Sequence, residues 1–149
     1  MTSNPRTRFA EGTRIYLDAN VLIEFVERAD PGLARVVADA RAGRLFLVTS
    51  ELTLAEVIVL PMREGDGSLL SQYRDLFSQP DLLDVAPVTR AVLERSGEIR
   101  AGDGCKLADA IHLASAEIAG CKVFLSSDRR LRPRLPMVRI GIESISDAR

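Results

Sequence analysis

The 149-residue sequence has few of the residues that mark several common classes of protein. It has no Trp, 5% aromatic residues and a net charge of −1, so it offers no aromatic stacking platform and no globally basic surface for nucleic acid. Its two cysteines, Cys105 and Cys121, have no second Cys or His at zinc-ligand spacing, and a chain of this size needs no disulfide. These absences do not exclude an acidic site whose bound metal ions supply positive charge locally.

Long hydrophobic runs are also missing. No apolar stretch approaches the roughly 20 residues of a membrane-spanning helix, and the first residues, "MTSNPRTRFAEGTR", lack the apolar centre of a signal peptide. The hydrophobic fraction of 46% and the charged fraction of 28% are ordinary for a globular domain with a real core. We therefore expect a short flexible lead over residues 1–13 and a single domain over residues 14–149, in the reducing cytoplasm and away from membranes.

Short apolar strands alternate with segments of helical periodicity along the chain. The predicted strands cover residues 14–18, 45–50, 82–87, 122–127 and 137–142, and the predicted helices cover residues 19–30, 33–43, 51–64, 68–79, 89–101 and 107–120. Strands separated by helices favour a mostly parallel central sheet covered on both faces, which is a three-layer α/β/α domain. Such sheets bind ligands beyond the carboxyl ends of their strands.

Four of the 21 acidic residues interrupt apolar stretches. Asp18 ends "RIYLD" and Asp128 follows "KVFLSS", so both lie at or just beyond the ends of predicted strands. Glu56 lies in "LTLAEVIVL" and Asp109 in "LADAIHLASA", on helices that are apolar almost all round. Because parallel strand ends meet at one edge of a sheet, and both helices can pack against that edge, we expect these four carboxylates to converge in one pocket.

Convergence of carboxylates has a specific chemical meaning. Like charges a few ångströms apart repel by roughly a few kcal/mol per pair, so without a counter-ion some of the group would stay protonated. A divalent cation removes this difficulty, and a set of oxygen ligands without Cys or His favours Mg²⁺ or Mn²⁺ over zinc. A site of this kind suits phosphodiester hydrolysis, since the metal activates a water and neutralises the charge that develops on phosphorus.

Each acid also has an ordinary structural interpretation. Asp18 could cap the helix that follows it, and Asp128 could belong to a turn. Glu56 could pair with an arginine of a neighbouring helix. Asp109 precedes His112 by three residues, so a hydrogen bond between them on one helix face is a further alternative.

Three polar residues accompany the acids. Asn20 follows Asp18 by two residues and Ser126 precedes Asp128 by two, so each is placed to orient a carboxylate or a metal-bound water, or to cap a helix locally. His112 is the only histidine. We assign it to helix packing or hydrogen bonding and not to general-base catalysis, because a metal-bound water already provides the base.

Taken together, these segments resemble a known family. "IYLDANVLIEF", "TSELTLAEV", "LADAIHLASAE" and "VFLSSDRRL" resemble, in order and spacing, the four acidic signatures of PIN-domain proteins, and in particular of the VapC-like toxins of toxin–antitoxin pairs. The resemblance runs from about residue 14 to residue 142. It implies a Rossmann-like α/β/α fold and a Mg²⁺- or Mn²⁺-dependent endoribonuclease. Asp18 and Asp109 match the principal metal ligands of the family, and Glu56 and Asp128 match the other two acids.

The resemblance also implies partners: an RNA substrate, a small antitoxin protein and a second copy of the chain in a homodimer. The segment "DRRLRPR" brings four arginines next to the fourth acid. Three of them are candidates for holding RNA phosphates, unless the segment is simply a solvated turn. These three are Arg129, Arg130 and Arg132.

Two other functions compete with RNA cleavage. In a non-catalytic binding module, the acids would only hold a structural ion. In an aspartate-nucleophile phosphatase, Asp18 would attack phosphorus, but that chemistry generally needs a second Asp where this chain has Asn20, and a catalytic lysine. The only lysines are Lys106 and Lys122.

Overall fold

Five parallel strands form the sheet, with β1 at its centre, in the computed structural model, which describes residues 9–145. The order across the sheet is β3-β2-β1-β4-β5, and every neighbouring pair is parallel. The strands are β1 (Arg14–Leu17), β2 (Phe46–Ser50), β3 (Leu83–Ala86), β4 (Val123–Leu125) and β5 (Val138–Ile140). The predicted parallel sheet is confirmed.

Helices make the crossovers between the first four strands. They are α1 (Ala19–Arg28), α2 (Pro31–Arg41), α3 (Glu51–Val57), α4 (Val59–Glu64), α5 (Gly67–Leu76), α6 (Arg90–Asp103) and α7 (Leu107–Ile118), and a 3-10 turn (Ile142–Ser144) follows β5. The predicted α/β class with helices around a parallel sheet is therefore confirmed.

The pleat of β1 divides the core into two layers. Ile15 and Leu17 face a cluster that includes Leu22 of α1 and Val36 of α2. Tyr16, between them in sequence, faces the opposite cluster, to which α6 and α7 contribute. Because successive side chains of a strand point to opposite faces, a strand covered on both sides is apolar throughout, as "RIYL" nearly is.

One predicted helix is wrong in its extent. The segment expected as a single helix over residues 51–64 is two helices, α3 and α4, with a turn at Ile58. Pro61 lies in the first turn of α4 and has no backbone N–H, so it cannot donate to the carbonyl of Val57 as a continuous helix requires. A proline is tolerated in a first turn, which is where the break at Ile58 places it.

The described part of the predicted lead contacts the domain. Phe9 packs against the first core cluster, and the N–H of Gly12 donates to the carbonyl of Arg44 at 2.7 Å. Residues 1–8 of that lead, and residues 146–149 of the predicted domain, lie outside the described residues. In the range 9–145 no helix has the length and apolarity to cross a membrane.

Candidate active site

The edge formed by the carboxyl ends of β1 and β4 brings the first acid and a buried serine together. Leu17 and Leu125 are aligned in register at the ends of these strands, and Asp18 and Ser126 are the next residues in the chain. The N–H of Asp18 donates to the carbonyl of Leu125 at 3.4 Å. Neighbouring parallel strands therefore place both polar side chains at the same edge, as the sequence predicts.

Asp18 is a buried carboxylate, 7% exposed. It caps α1 by accepting a hydrogen bond from the N–H of Val21 at 3.0 Å. Burial raises the pKa of Asp18 above its usual value, while hydrogen bonds from Ser126 and Val21 lower that pKa in part. The capping role is thus real, but a cap does not need to be buried, so capping alone does not explain the position of this carboxylate.

Glu56 lies on α3, which follows β2 on the other side of β1. Its Oε1 atom is 2.6 Å from Nε2 of His112, and its side chain is 36% exposed. The other ring nitrogen of His112, Nδ1, is 2.6 Å from the hydroxyl of Tyr16. Among the described residues, Glu56 therefore has no arginine partner, and His112 does not pair with Asp109. Glu56 pairs with His112 instead, which confirms the predicted hydrogen-bonding role of His112.

Asp109 lies in the first turn of α7. Since α7 leads the chain back to the start of β4, it runs antiparallel to the strands, and its first turn lies on the side of the sheet where the strands end. The carboxylate of Asp109 accepts no hydrogen bond from any residue in the range 9–145. The pKa of the Arg130 guanidinium is raised mainly by its hydrogen bonds to Asp128, and Asp109 lies close enough to add a smaller effect.

Asp128 and Arg130 form a two-point ion pair. The carboxylate of Asp128 accepts from Nε of Arg130 at 3.1 Å and from Nη2 at 3.2 Å, and Oδ1 also accepts the backbone N–H of Arg130 at 2.9 Å. These contacts hold the pKa of Asp128 below its usual value. Arg130 is thus committed to Asp128 in this state, and its predicted role in holding phosphate stays a prediction.

The other predicted residues differ in their placement. Ser126 is fully buried, and its oxygen accepts the N–H of Asp128 at 3.0 Å while the hydroxyl lies beside Asp18. Asn20 is exposed in the first turn of α1. Arg129 is exposed, and Arg132 lines a cleft between α6, α7 and the loop before β5.

Two of the acids, Asp18 and Asp109, are suited to bind a hard cation such as Mg²⁺. Asp18 is buried without an ion-pair partner among the described residues, and Asp109 accepts no hydrogen bond from them. However, no three His, Cys, Asp or Glu side chains within residues 9–145 meet as a ready-made metal site. Glu56 is held by His112 and Asp128 by Arg130. A site with two available carboxylates suits Mg²⁺, which proteins often bind through one or two carboxylates, with water and phosphate as the remaining ligands.

A buried polar network beneath the acids was not anticipated from the sequence. Thr49 and Thr53 share a hydrogen bond of 2.8 Å, Thr49 also donates to the carbonyl of Leu17, and the hydroxyls of Ser50, Thr49 and Thr53 lie beside the Tyr16 oxygen. The signal in the sequence is the run "VTSELT", which places three hydroxyl residues where β2 passes into α3.

Comparison with known proteins supplies the family. The family model of the PIN domain matches residues 15–133. A toxin–antitoxin complex from Klebsiella pneumoniae has 20% identity, with 85% of this chain and 95% of that chain covered and a TM-score of 0.66. VapBC2 from Rickettsia felis bound to a promoter DNA fragment has 11% identity, 87% and 98% coverage and a TM-score of 0.70.

A third similar structure is VapC20 from Mycobacterium tuberculosis, described as a toxin that cleaves the sarcin–ricin loop. It has 17% identity, 78% and 92% coverage and a TM-score of 0.62. Among curated proteins, none matches the sequence. At these identities the solved structures show the fold alone, whereas the family model covers most of the sequence: the chain belongs to the PIN-domain family.

Proposed function

We propose that this protein is a Mg²⁺- or Mn²⁺-dependent endoribonuclease that hydrolyses RNA phosphodiester bonds, and that it is the toxin of a toxin–antitoxin pair. The observation that carries the proposal is Asp18, a buried carboxylate with no ion-pair partner in the described part of the chain, at the strand-end edge of a PIN-domain sheet. A buried anion without a counter-ion is costly, and a cation offsets that cost.

In this proposal Asp18 and Asp109 hold the cation, and Glu56 and Asp128 complete the acidic set around it. When bound, such a cation lowers the pKa of a water and neutralises charge on the phosphate. The chain itself contributes fixed geometry. The N-cap contact with Val21 and the Ser126 hydroxyl hold the Asp18 carboxylate, so little reorganisation is needed when the site is used.

The arginines following β4 provide the positive charge that an RNA backbone needs. Arg129 is exposed and has no hydrogen-bond partner within residues 9–145, so it can contact a phosphate directly. Arg130 can do so after exchanging Asp128 for a phosphate oxygen. Arg132 lies in the cleft beside α6 and α7, where it can contact RNA further from the cut. Asn20, exposed beside Asp18, is placed to orient substrate or water.

The proposed partners are an RNA, a small antitoxin and a second copy of the chain, in the cytoplasm. Similar structures include toxin–antitoxin complexes, two of them bound to DNA. The surface of α4 also supports an association, since Val59, Leu60 and Met62 are exposed apolar side chains on one short helix. Light scattering of the purified chain, with and without the product of the adjacent reading frame, tests both associations.

The test of activity is cleavage of total cellular RNA by the purified chain, with cut sites mapped. We expect discrete cleavage with Mg²⁺ or Mn²⁺ and none with a chelator. Asp18→Asn and Asp109→Asn should lower the rate by roughly a hundredfold or more, which exceeds the usual effect of losing a residue that only supports a ligand. Asp75→Asn, at an exposed position of α5, is the matched control and should cleave like the wild type.

Three results would contradict the proposal. Mn²⁺ binding measured by calorimetry, together with no cleavage of any RNA, would indicate a non-catalytic module. A phosphorylated Asp18 trapped from a phosphate ester would indicate phosphatase chemistry. Full cleavage by pure Asp18→Asn protein would remove Asp18 from the mechanism.

A further inference from the structure

His112 is a buried polar side chain in an otherwise apolar helix. It is 5% exposed, and its neighbours on α7, including Ile111 and Leu113, belong to the core. Burying an imidazole is costly unless both ring nitrogens find partners. Both do: Nδ1 is 2.6 Å from the Tyr16 hydroxyl, and Nε2 is 2.6 Å from Oε1 of Glu56.

We propose that His112 is a positioning residue for the proposed nuclease site: its Nε2–H donates to Glu56, its Nδ1 accepts from Tyr16, and the ring thereby fixes the Glu56 carboxylate at the edge of the sheet. The inference rests on the proposed function, because Glu56 is one of the acids of that site.

The direction of each hydrogen bond follows from donor and acceptor chemistry. An ionised carboxylate only accepts, so Nε2 carries the proton in the bond to Glu56. A neutral ring then has a lone pair on Nδ1, which accepts the hydroxyl proton of Tyr16. A phenol is protonated at neutral pH, so Tyr16 has this proton to donate to Nδ1, 2.6 Å away.

The hydroxyl groups around Tyr16 complete the assignment. The oxygen of Ser50 accepts the N–H of Leu52 at 3.0 Å, which leaves its own proton free to donate to the Tyr16 oxygen beside it. Within residues 9–145, Ser115 is the only residue with a buried side-chain oxygen or nitrogen that lacks a partner. The network from β2 through Tyr16 to His112 is therefore satisfied throughout.

The two oxygens of the Glu56 carboxylate are therefore held differently. One oxygen, Oε1, is tied to the buried ring, while the side chain as a whole remains 36% exposed. Glu56 lies on α3, a helix of seven residues, and its side chain accepts no other hydrogen bond from the described residues. His112, on the buried α7, supplies the constraint at Oε1, whereas Oε2 accepts no hydrogen bond from any residue in the range 9–145. Supporting bonds of this type typically change metal affinity or activity by about 10- to 100-fold.

The first measurement is nuclear magnetic resonance of the metal-free protein. Because His112 is the only histidine, long-range ¹H–¹⁵N correlations report one imidazole without assignment work. We expect a ring protonated at Nε2 and bare at Nδ1. A ring protonated at Nδ1 and bare at Nε2 would overturn the inference, whether or not the protein cleaves RNA.

The second measurement is Mn²⁺ affinity by calorimetry, with kcat and KM for RNA cleavage alongside. His112→Ala should weaken Mn²⁺ binding by about 10- to 100-fold and lower kcat, with little change in KM for RNA. His112→Gln should restore most of the affinity, because its amide N–H reaches about as far as Nε2 and can donate to Glu56. His112→Gln behaving like His112→Ala would show a packing role only.

Two further variants keep the test decisive if His112→Ala unfolds. Tyr16→Phe retains the aromatic ring but removes the hydroxyl that holds Nδ1, so the imidazole keeps a hydrogen bond at Nε2 only and Mn²⁺ affinity should fall severalfold. Ser115→Ala is the control, since this residue is buried on the same helix and its hydroxyl has no partner among the described residues. It should bind Mn²⁺ like the wild type. Unchanged affinity in Tyr16→Phe would contradict the inference, while absence of cleavage by the wild type would contradict only the proposed function.

Discussion

At the scale of single residues, the acids of this protein differ in what holds them. Asp18 is buried with neutral donors, Glu56 is held by an imidazole, Asp128 by a guanidinium, and Asp109 by no hydrogen bond from a described residue. Four carboxylates that look alike in the sequence therefore lie in four different chemical environments. Under the proposed function, the two without strong partners bind the cation most readily.

The pair between Asp128 and Arg130 leads to a prediction about competition. Arg130 and a cation both seek the Asp128 carboxylate, so Arg130→Ala should strengthen Mn²⁺ binding by about two- to fivefold, the modest effect typical of an exposed pair. The same change should raise KM for RNA by removing a phosphate contact. Calorimetry and steady-state kinetics measure the two effects separately.

Arg129→Ala is the matched control, because Arg129 is the adjacent exposed arginine and does not contact Asp128. It should raise KM without altering Mn²⁺ affinity. Equal effects of the two substitutions on Mn²⁺ affinity would mean that only the overall charge of the segment matters.

At the scale of helices and strands, much of the site could be predicted because its signals are local. An apolar strand followed at once by Asp18, or by Ser126 and Asp128, marks a strand end within a few residues of sequence. The pairing of Glu56 with His112 could not be predicted in this way, since 56 residues separate them and only the packing of α3 against α7 brings them together. The break at Ile58 was predictable from Pro61, whose missing N–H has a purely local effect.

The end of α1 gives a prediction about stability. Ala29 caps this helix in the left-handed conformation, with φ 50° and ψ 44°, which disfavours any residue with a Cβ atom. Ala29→Gly should raise the free energy of unfolding by about 0.5–1 kcal/mol, since the relief of strain exceeds the added chain entropy of glycine. Urea denaturation measures the change.

Ala42 provides a comparison at the end of α2. It is also a C-cap alanine, but its φ of −81° is ordinary for any residue. Ala42→Gly should therefore lower the free energy of unfolding by up to about 1 kcal/mol. If both substitutions lower it alike, the conformation of Ala29 is not a source of strain.

At the scale of the whole molecule, the parallel sheet is what brings distant segments to one edge. β1 lies at the centre, so the residues after β1, β2 and β4 are neighbours although they are separated by up to about a hundred positions in the chain. The same topology buries Asp18, because helices cover both faces of the strand that it follows. The stability of the domain and the chemistry proposed for its edge are therefore coupled through one carboxylate.

This coupling predicts how stability depends on pH. Because burial raises the pKa of folded Asp18, the folded state binds more protons than the unfolded state, and the free energy of unfolding falls as pH rises from about 4 through that pKa. In Asp18→Asn no carboxylate titrates at this position, so the free energy of unfolding does not show this decrease. Asparagine also caps helices well. Without metal, the variant should match the wild type near pH 4 and melt roughly 2–4 °C higher at pH 7, about 1 kcal/mol for a domain of this size.

Adding Mn²⁺ should reverse the order. A cation that binds only the folded state at 100 times its Kd adds about 2.7 kcal/mol to the free energy of unfolding, which corresponds to a rise of roughly 5–10 °C in Tm. The wild type and Asp75→Asn should show this rise, Asp18→Asn should not, and a chelator should abolish it. If Mn²⁺ raises the Tm of Asp18→Asn as much as that of the wild type, the cation binds elsewhere on the protein, and the burial of Asp18 requires another explanation.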